Sequence, residues 1–353
     1  MIKVLCYHQN LPRVPSHLPW NVNNLDLSEN QIASLRQSDF SKLSLLQVLN
    51  VSQNQIHLIE EGTFTHTSSL KILNLTSNQL RVLSSSMFDG LGNLTVLLLR
   101  ENNIDRIEAS AFAHLMKLKV IDLSSNKLHS LNALDVVFKS LSLANNEFAA
   151  VPNATSNITS LKSLDLGFNQ IRKIVPNDFA NLKNLEHLNL TGNRITKISS
   201  DLFSDLHNLL ELNIGMNLLL EISQPFSDSL GKLEKMELTG NKMSSIKKET
   251  FRNLTSLQFL SLLDNQISTI EPGAFEGLSH LQTLLLATNK ITKQTFQKGI
   301  FQGVNSLVDL QLFENYIPYE TSGELDNPPF ILLKSLKYLS EQPTSEWASE
   351  FPI

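Results

Sequence analysis

Thirteen asparagines, Asn30, Asn54, Asn78, Asn102, Asn126, Asn146, Asn169, Asn193, Asn217, Asn241, Asn265, Asn289 and Asn315, punctuate the chain, and nine of the twelve steps between them are 24 residues. A carboxamide offers two N–H donors and one carbonyl acceptor, with no nucleophile and no titratable proton, so the ladder serves hydrogen bonding rather than catalysis. Each asparagine closes the phrase L-x-x-L-x-L-x-x-N, of which Leu25-Asp-Leu-Ser-Glu-Asn30 is the clearest copy. Where the backbone turns sharply after such a phrase, an interior amide left unpaired costs about 1–3 kcal/mol, and an asparagine can bridge it to the main chain of adjacent coils.

The other reactive side chains do not converge. No H-E-x-x-H, G-x-x-x-x-G-K-[ST] or G-x-S-x-G stretch is present. The nine histidines are scattered, and His187 is the only one in a strand-facing position, where a solvated side chain is the bland reading. The sequence therefore predicts no enzyme, no metal site and no cofactor. Cys6 is the sole cysteine, so no internal disulfide is possible; it either lacks a partner or is a buried thiol. The start lacks a signal-peptide core and no stretch is apolar enough to cross a membrane, which fits a cytosolic chain or a longer precursor without its ends.

The elements that position the ladder follow from its period. A period of 24 over 353 residues predicts one solenoid rather than two or three domains. The L-x-L portion has strand periodicity, giving about 13 short parallel strands on a concave sheet, with loops and short helical turns on the convex side. Phenylalanines recur mostly ten residues after the asparagine, at Phe40, Phe64, Phe88, Phe112, Phe179, Phe203, Phe226, Phe251, Phe275 and Phe301, and are expected to stack as a second interior spine. A solenoid wider outside than inside curves into a horseshoe. The register breaks between Asn126 and Asn146, where Val136 or Val137 stands in for phenylalanine, and again between Asn289 and Asn315. The expected divisions are a flank over 1–21, in which Leu11, Val14 and Leu18 cover the first coil, repeats over 22–317, and a degenerate or incomplete repeat over 318–353, with Leu336, Tyr338 and Leu339 opening a fourteenth coil.

Counting from each asparagine sorts the surface. N-x-[ST] acceptors stand at Asn50, Asn74 and Asn189 on strands, at Asn93 and Asn253 on the descending side, and at Asn153 and Asn157 on a convex segment. None falls on the ascending loop after the ladder asparagine. That loop carries Arg81, Arg106, Lys127, Arg172, Lys173, Arg194, Lys197, Lys242, Lys290 and Lys293 against Asp105, Glu147 and Glu221, while outward strand positions are mostly acidic. A coherent cationic, glycan-free flank suits capture of a phosphate backbone, and an ordinary solvated edge is the alternative. Phe259, Leu263, Leu285 and Phe313 form an apolar group on adjacent strands, either a contact surface or one covered by another segment.

The repeated phrase identifies the chain as a member of the leucine-rich repeat proteins, with an α/β solenoid fold. The 24-residue length, the phenylalanine spine and the flank Cys6...Leu11-x-x-Val14-Pro15-x-x-Leu18-Pro19 resemble the N-terminal half of a Toll-like receptor ectodomain. That resemblance implies a non-enzymatic innate immune receptor segment on the extracellular or endosomal-lumen side of a membrane. It would bind a microbial ligand, nucleic acid or protein, and signal in its full-length form by pairing into a homodimer or heterodimer; the segment itself inserts in no membrane. Arg172, Lys173, Arg194, Lys197 and Lys242 form the candidate ligand site. The rivals are a matrix or adhesion protein of the proteoglycan type and an intracellular leucine-rich scaffold.

Overall fold

The computed structural model describes residues 2–132, 137–296, 299–316 and 333–340. The chain divides into two compact units, residues 1–170 and 171–353. Most L-x-L stretches form a three-residue strand whose central apolar side chain points inward, because alternate side chains in a strand face opposite sides. In the first unit the parallel strands Ile2–Leu5, Val22–Asp26, Val48–Asn50, Ile72–Asn74, Val96–Leu98, Val120–Asp122, Ser140–Ser142 and Ser163–Asp165 pair in that order. In the second, His187–Asn189, Glu211–Asn213, Lys235–Glu237, Phe259–Ser261, Thr283–Leu285, Asp309–Gln311 and Tyr338–Ser340 do the same.

Register is what stacks the core. Leu49 lies between Leu25 and Leu73, and Leu260 between Met236 and Leu284, and all six are 0% exposed. Burying each such side chain contributes about 1.5–3 kcal/mol. The repeats thus bury against one another what none buries alone.

The asparagine ladder ties neighbouring coils together through main-chain hydrogen bonds. Asn217 donates Nδ2–H to the carbonyls of Leu190 at 2.9 Å, Ile214 at 3.1 Å and Gly215 at 2.9 Å, and its Oδ1 accepts the amide of Ile195 at 3.0 Å. Asn54, Asn78, Asn102 and Asn126 make the equivalent bonds in the first unit. The thirteen run from the buried Asn30 to the half-buried Asn315.

One feature of the coil has no single-residue signature. The residue before each ladder asparagine lies in the left-handed region, from Glu29 at φ 55° to Glu314 at φ 55°. Gly192 and Gly240 occupy it without strain, but Phe168 and Met216 also hold it, because the same turn is imposed on every coil.

The phenylalanine spine stacks in pairs, Phe40 with Phe64 and Phe88 with Phe112 in the first unit, and Phe251 with Phe275 and Phe275 with Phe301 in the second, with centroids 6.0–6.3 Å apart. Gly90 and Gly277 allow the backbone of the preceding coil to pass where a Cβ would collide with the carbonyls of Phe64 and Arg252. Convex segments are short, as expected: a helix over Gln37–Phe40 and 3-10 turns over Asn153–Asn157, Pro176–Phe179 and Asp228–Leu230.

The short repeat departs from the sequence expectation. Val137 is 80% exposed and fills no aromatic position, and Val136 lies outside the described residues. Phe138 takes the first-leucine place of its coil and Phe148 the place two residues after Asn146, at 0% and 1% exposure. Larger side chains at leucine positions thus fill the interior of a coil too short to carry the spine.

At the N-terminal flank, Ile2–Leu5 adds an edge strand, with Asn30 Nδ2 reaching the Cys6 carbonyl at 2.8 Å. Val14 is buried, and Leu11 and Leu18 are half-buried. Tyr338–Ser340 adds a strand beyond Asp309–Gln311. Residues 317–332 and 341–353, including Ile317, lie outside the described residues.

Candidate functional site

The ascending flank of the second unit is set by a short alternation. After Asn169, Asn193, Asn217, Asn241 and Asn265 the second and fifth residues are buried, as in Ile171 and Ile174, Ile195 and Ile198, and Met243 and Ile246. Positions one, three and four therefore face solvent, and this is where Arg172, Lys173, Arg194, Lys197 and Lys242 stand, all exposed. Arg194 N–H donates to the Ile171 carbonyl at 2.8 Å, so the coil of Arg194 and Lys197 lies directly on that of Arg172 and Lys173, roughly 4.8 Å along the stack. Lys242 follows two coils further on, its amide on the Leu219 carbonyl at 2.9 Å.

None of these five side chains has a carboxylate within ion-pairing distance among the described residues. Glu221, on the intervening coil, is held by Lys247 at 2.8 Å. In the first unit Arg81 pairs with Asp105 at 2.7 Å, and that hydrogen bond holds the Asp105 carboxyl below its usual range. The side chain of Lys293 lies outside the described residues.

The open face of the sheet is less freely acidic than composition alone suggests. Asp26 Oδ1 accepts the amide and hydroxyl of Ser28 at 3.0 and 2.6 Å, Asp122 does the same for Ser124, and Asp165 accepts the amide of Gly167 at 2.9 Å. These carboxylates are turn braces four residues before a ladder asparagine. Asn50, Asn74, Asn189 and Asn213 brace the same amide two residues on. His187, half-buried, faces Glu211 at 3.3 Å.

The glycan acceptors separate on the same grounds. Asn153 and Asn157 are exposed on one 3-10 turn, and Asn93 is exposed but donates to the Ser68 carbonyl at 2.8 Å. Half-buried Asn50 also donates to Asp26, and Asn253 donates to the Phe226 carbonyl at 2.6 Å.

Phe259, Leu263, Leu285 and Phe313 do come together, on three adjacent coils, and each is half-buried rather than fully exposed. Cys6 is half-buried and free, its thiol pushed up by burial and by Asp26. No cluster of metal-ligating side chains is present among the described residues.

Cations also stand outside the ascending flank. Seven residues before their ladder asparagines, Lys71, Lys119 and Lys139 stand in one row on the descending side of the first unit, joined through Thr95 by backbone bonds of 2.8–2.9 Å. A constant offset is a signal that counting from each asparagine can find.

Compared with protein families, the chain matches the leucine rich repeat over residues 21–80, 46–103, 68–128, 138–195, 183–243 and 231–291. No curated protein matches it. Among solved structures it is similar to Toll in the Toll–Spatzle complex of Drosophila, at 25% identity and a TM-score of 0.74, covering 85% of this chain and 43% of that one. It is also similar to an internalin of Listeria monocytogenes, at 23% identity, TM-score 0.61 and coverage of 91% and 80%. A leucine-rich repeat protein of Leptospira interrogans matches at 24%, TM-score 0.66, covering 90% and 83%. No helix among the described residues is long and apolar enough to cross a membrane.

Proposed function

The chain belongs to the leucine-rich repeat family, and from that premise we propose that it is the recognition portion of a Toll-like innate immune receptor whose second unit holds an anionic microbial ligand on its ascending flank. The observation that carries this is the group Arg172, Lys173, Arg194 and Lys197, four exposed cations on two stacked coils with no carboxylate partner among the described residues. Like charges held this close repel, and a polyanion laid across them relieves the repulsion while releasing its counterions. Lys242 extends the track by two coils.

The likeness to Toll supports the receptor reading over a matrix or intracellular scaffold, and the chain spans 43% of that protein. In this reading the segment faces the extracellular or endosomal lumen, nucleic acid is one ligand of suitable chemistry, and signalling follows from pairing of two full-length receptors. Replacing Arg172, Lys173, Arg194, Lys197 and Lys242 by alanine abolishes polyanion binding, whereas Lys127→Ala leaves it intact. Undiminished binding by the five-residue variant overturns the site.

A further inference from the structure

On the open face of the second unit, Phe259, Thr283 and Asp309 stand opposite one another on successive strands, as do Ser261, Leu285 and Gln311. Leu263, Ala287 and Phe313 continue the grid: Asp264 N–H donates to the Ala287 carbonyl at 3.1 Å and Thr288 N–H to the Phe313 carbonyl at 2.9 Å. Phe259, Leu285 and Phe313 therefore run diagonally across three coils. Ala287, between Leu263 and Phe313, is 0% exposed, so the larger side chains on either side of it make the surface there.

Carboxylates border this diagonal on both sides. Asp309 lies in the row of Phe259, Asp264 and Glu314 follow Leu263 and Phe313, and Glu237 stands opposite Ser261. Lys235, a cation at the border, is shared between Glu237 at 3.4 Å and the Phe259 ring at 5.3 Å. No N-x-[ST] asparagine lies on the strands from Lys235 to Gln311.

We propose that this grid docks a polypeptide segment from another protein, one that presents an apolar stripe flanked by lysine or arginine. Apolar area supplies the seat and the acidic border selects charge, the usual division between the core and rim of an interface. The chain's own outlying segments have the wrong sign: residues 317–332 carry Glu320, Glu324 and Asp326, residues 341–353 carry Glu341, Glu346 and Glu350, and neither has a lysine or arginine. A second copy offering its cationic flank makes a head-to-tail contact, which must either close into a ring or run on as an open filament, whereas a separate protein meets neither constraint and is the occupant proposed. The surface is independent of the polyanion site.

The probe is a synthetic amphipathic peptide with leucine and phenylalanine on one face and flanking lysines, read by fluorescence anisotropy on the full chain, with its glutamate-flanked counterpart as control. The lysine peptide binds at least about tenfold more tightly than the glutamate one, and Leu285→Ser with Phe313→Ser weakens it by about tenfold or more. Asp264→Asn with Asp309→Asn, which leaves the apolar residues in place, weakens it by about threefold, and the five alanines on the ascending flank do not change it. Equal affinity for the two peptides, or binding indifferent to both pairs of substitutions, overturns the proposal. Concentration-dependent self-association in sedimentation that Leu285→Ser with Phe313→Ser removes overturns it too, by naming a second copy as the occupant.

Discussion

Asn217 Nδ2 donates at 2.9 Å to the carbonyl oxygen of Leu190, which belongs to the preceding coil. The same side chain closes its own turn and accepts the amide of Ile195, so a single carboxamide ties together groups that water cannot reach. Asn217→Ala leaves them unpaired and is expected to cost about 3 kcal/mol or more, since each buried orphan is worth roughly 1–3 kcal/mol. Urea unfolding measures the loss, and hydrogen exchange should place the loosening at the adjacent coils. A change below about 0.5 kcal/mol, the size of an ordinary surface substitution, contradicts the role.

Phe138 and Val137 make an adjacent pair with opposite expectations. Phe138→Ala empties a fully buried site and should cost about 3–5 kcal/mol. Val137→Ala alters a side chain that is 80% exposed and should stay within about 0.5 kcal/mol. Thermal and urea unfolding of the two variants checks both, and reversed effects would return Val137 to the interior.

Asp178 gives a pH dependence of known sign. Burial raises its carboxyl above the ordinary aspartate value, against the lowering effect of the hydrogen bond it accepts from Val175 N–H at 2.7 Å. A carboxyl whose folded-state value is raised contributes stability below its unfolded-state value and loses it as pH rises through the folded one. Between those values the wild type should lose stability with rising pH relative to Asp178→Asn, and urea midpoints across mildly acidic pH will show it. Parallel curves for the two proteins contradict the burial account.

The fold was legible because one phrase repeats at a fixed step: Leu25 and Leu27 before Asn30 predict the strand, the inward leucines and the ladder bond without any tertiary information. What escaped did so for physical reasons. The left-handed turn is enforced by coil geometry, so it accepts Glu29, Gln53, Phe168 and Met216 alike and leaves no residue signature. The edge strand Ile2–Leu5 has no ladder asparagine of its own and is recruited by pairing with Val22–Asp26. Phe138 and Phe148 exchange roles with leucines only because their coils are short. At the candidate site, exposure of Arg172, Lys173, Arg194, Lys197 and Lys242 could be counted from the asparagines. Which carboxylates were already engaged could not: Asp26 and Asp122 read as free charge until their bonds to Ser28 and Ser124 were seen.

The central claim concerns the cationic flank of the second unit, and the salt dependence of polyanion binding tests it most directly. The affinity of the wild-type chain for a labelled single-stranded RNA, measured across sodium chloride concentrations, should fall on a log–log plot with a slope of about −3.5, as expected for roughly five phosphate contacts at about 0.7 each. The variant with alanine at Arg172, Lys173, Arg194, Lys197 and Lys242 should show almost no binding and almost no slope. A wild-type chain that does not bind, or a variant with the same affinity and slope as the wild type, contradicts the account.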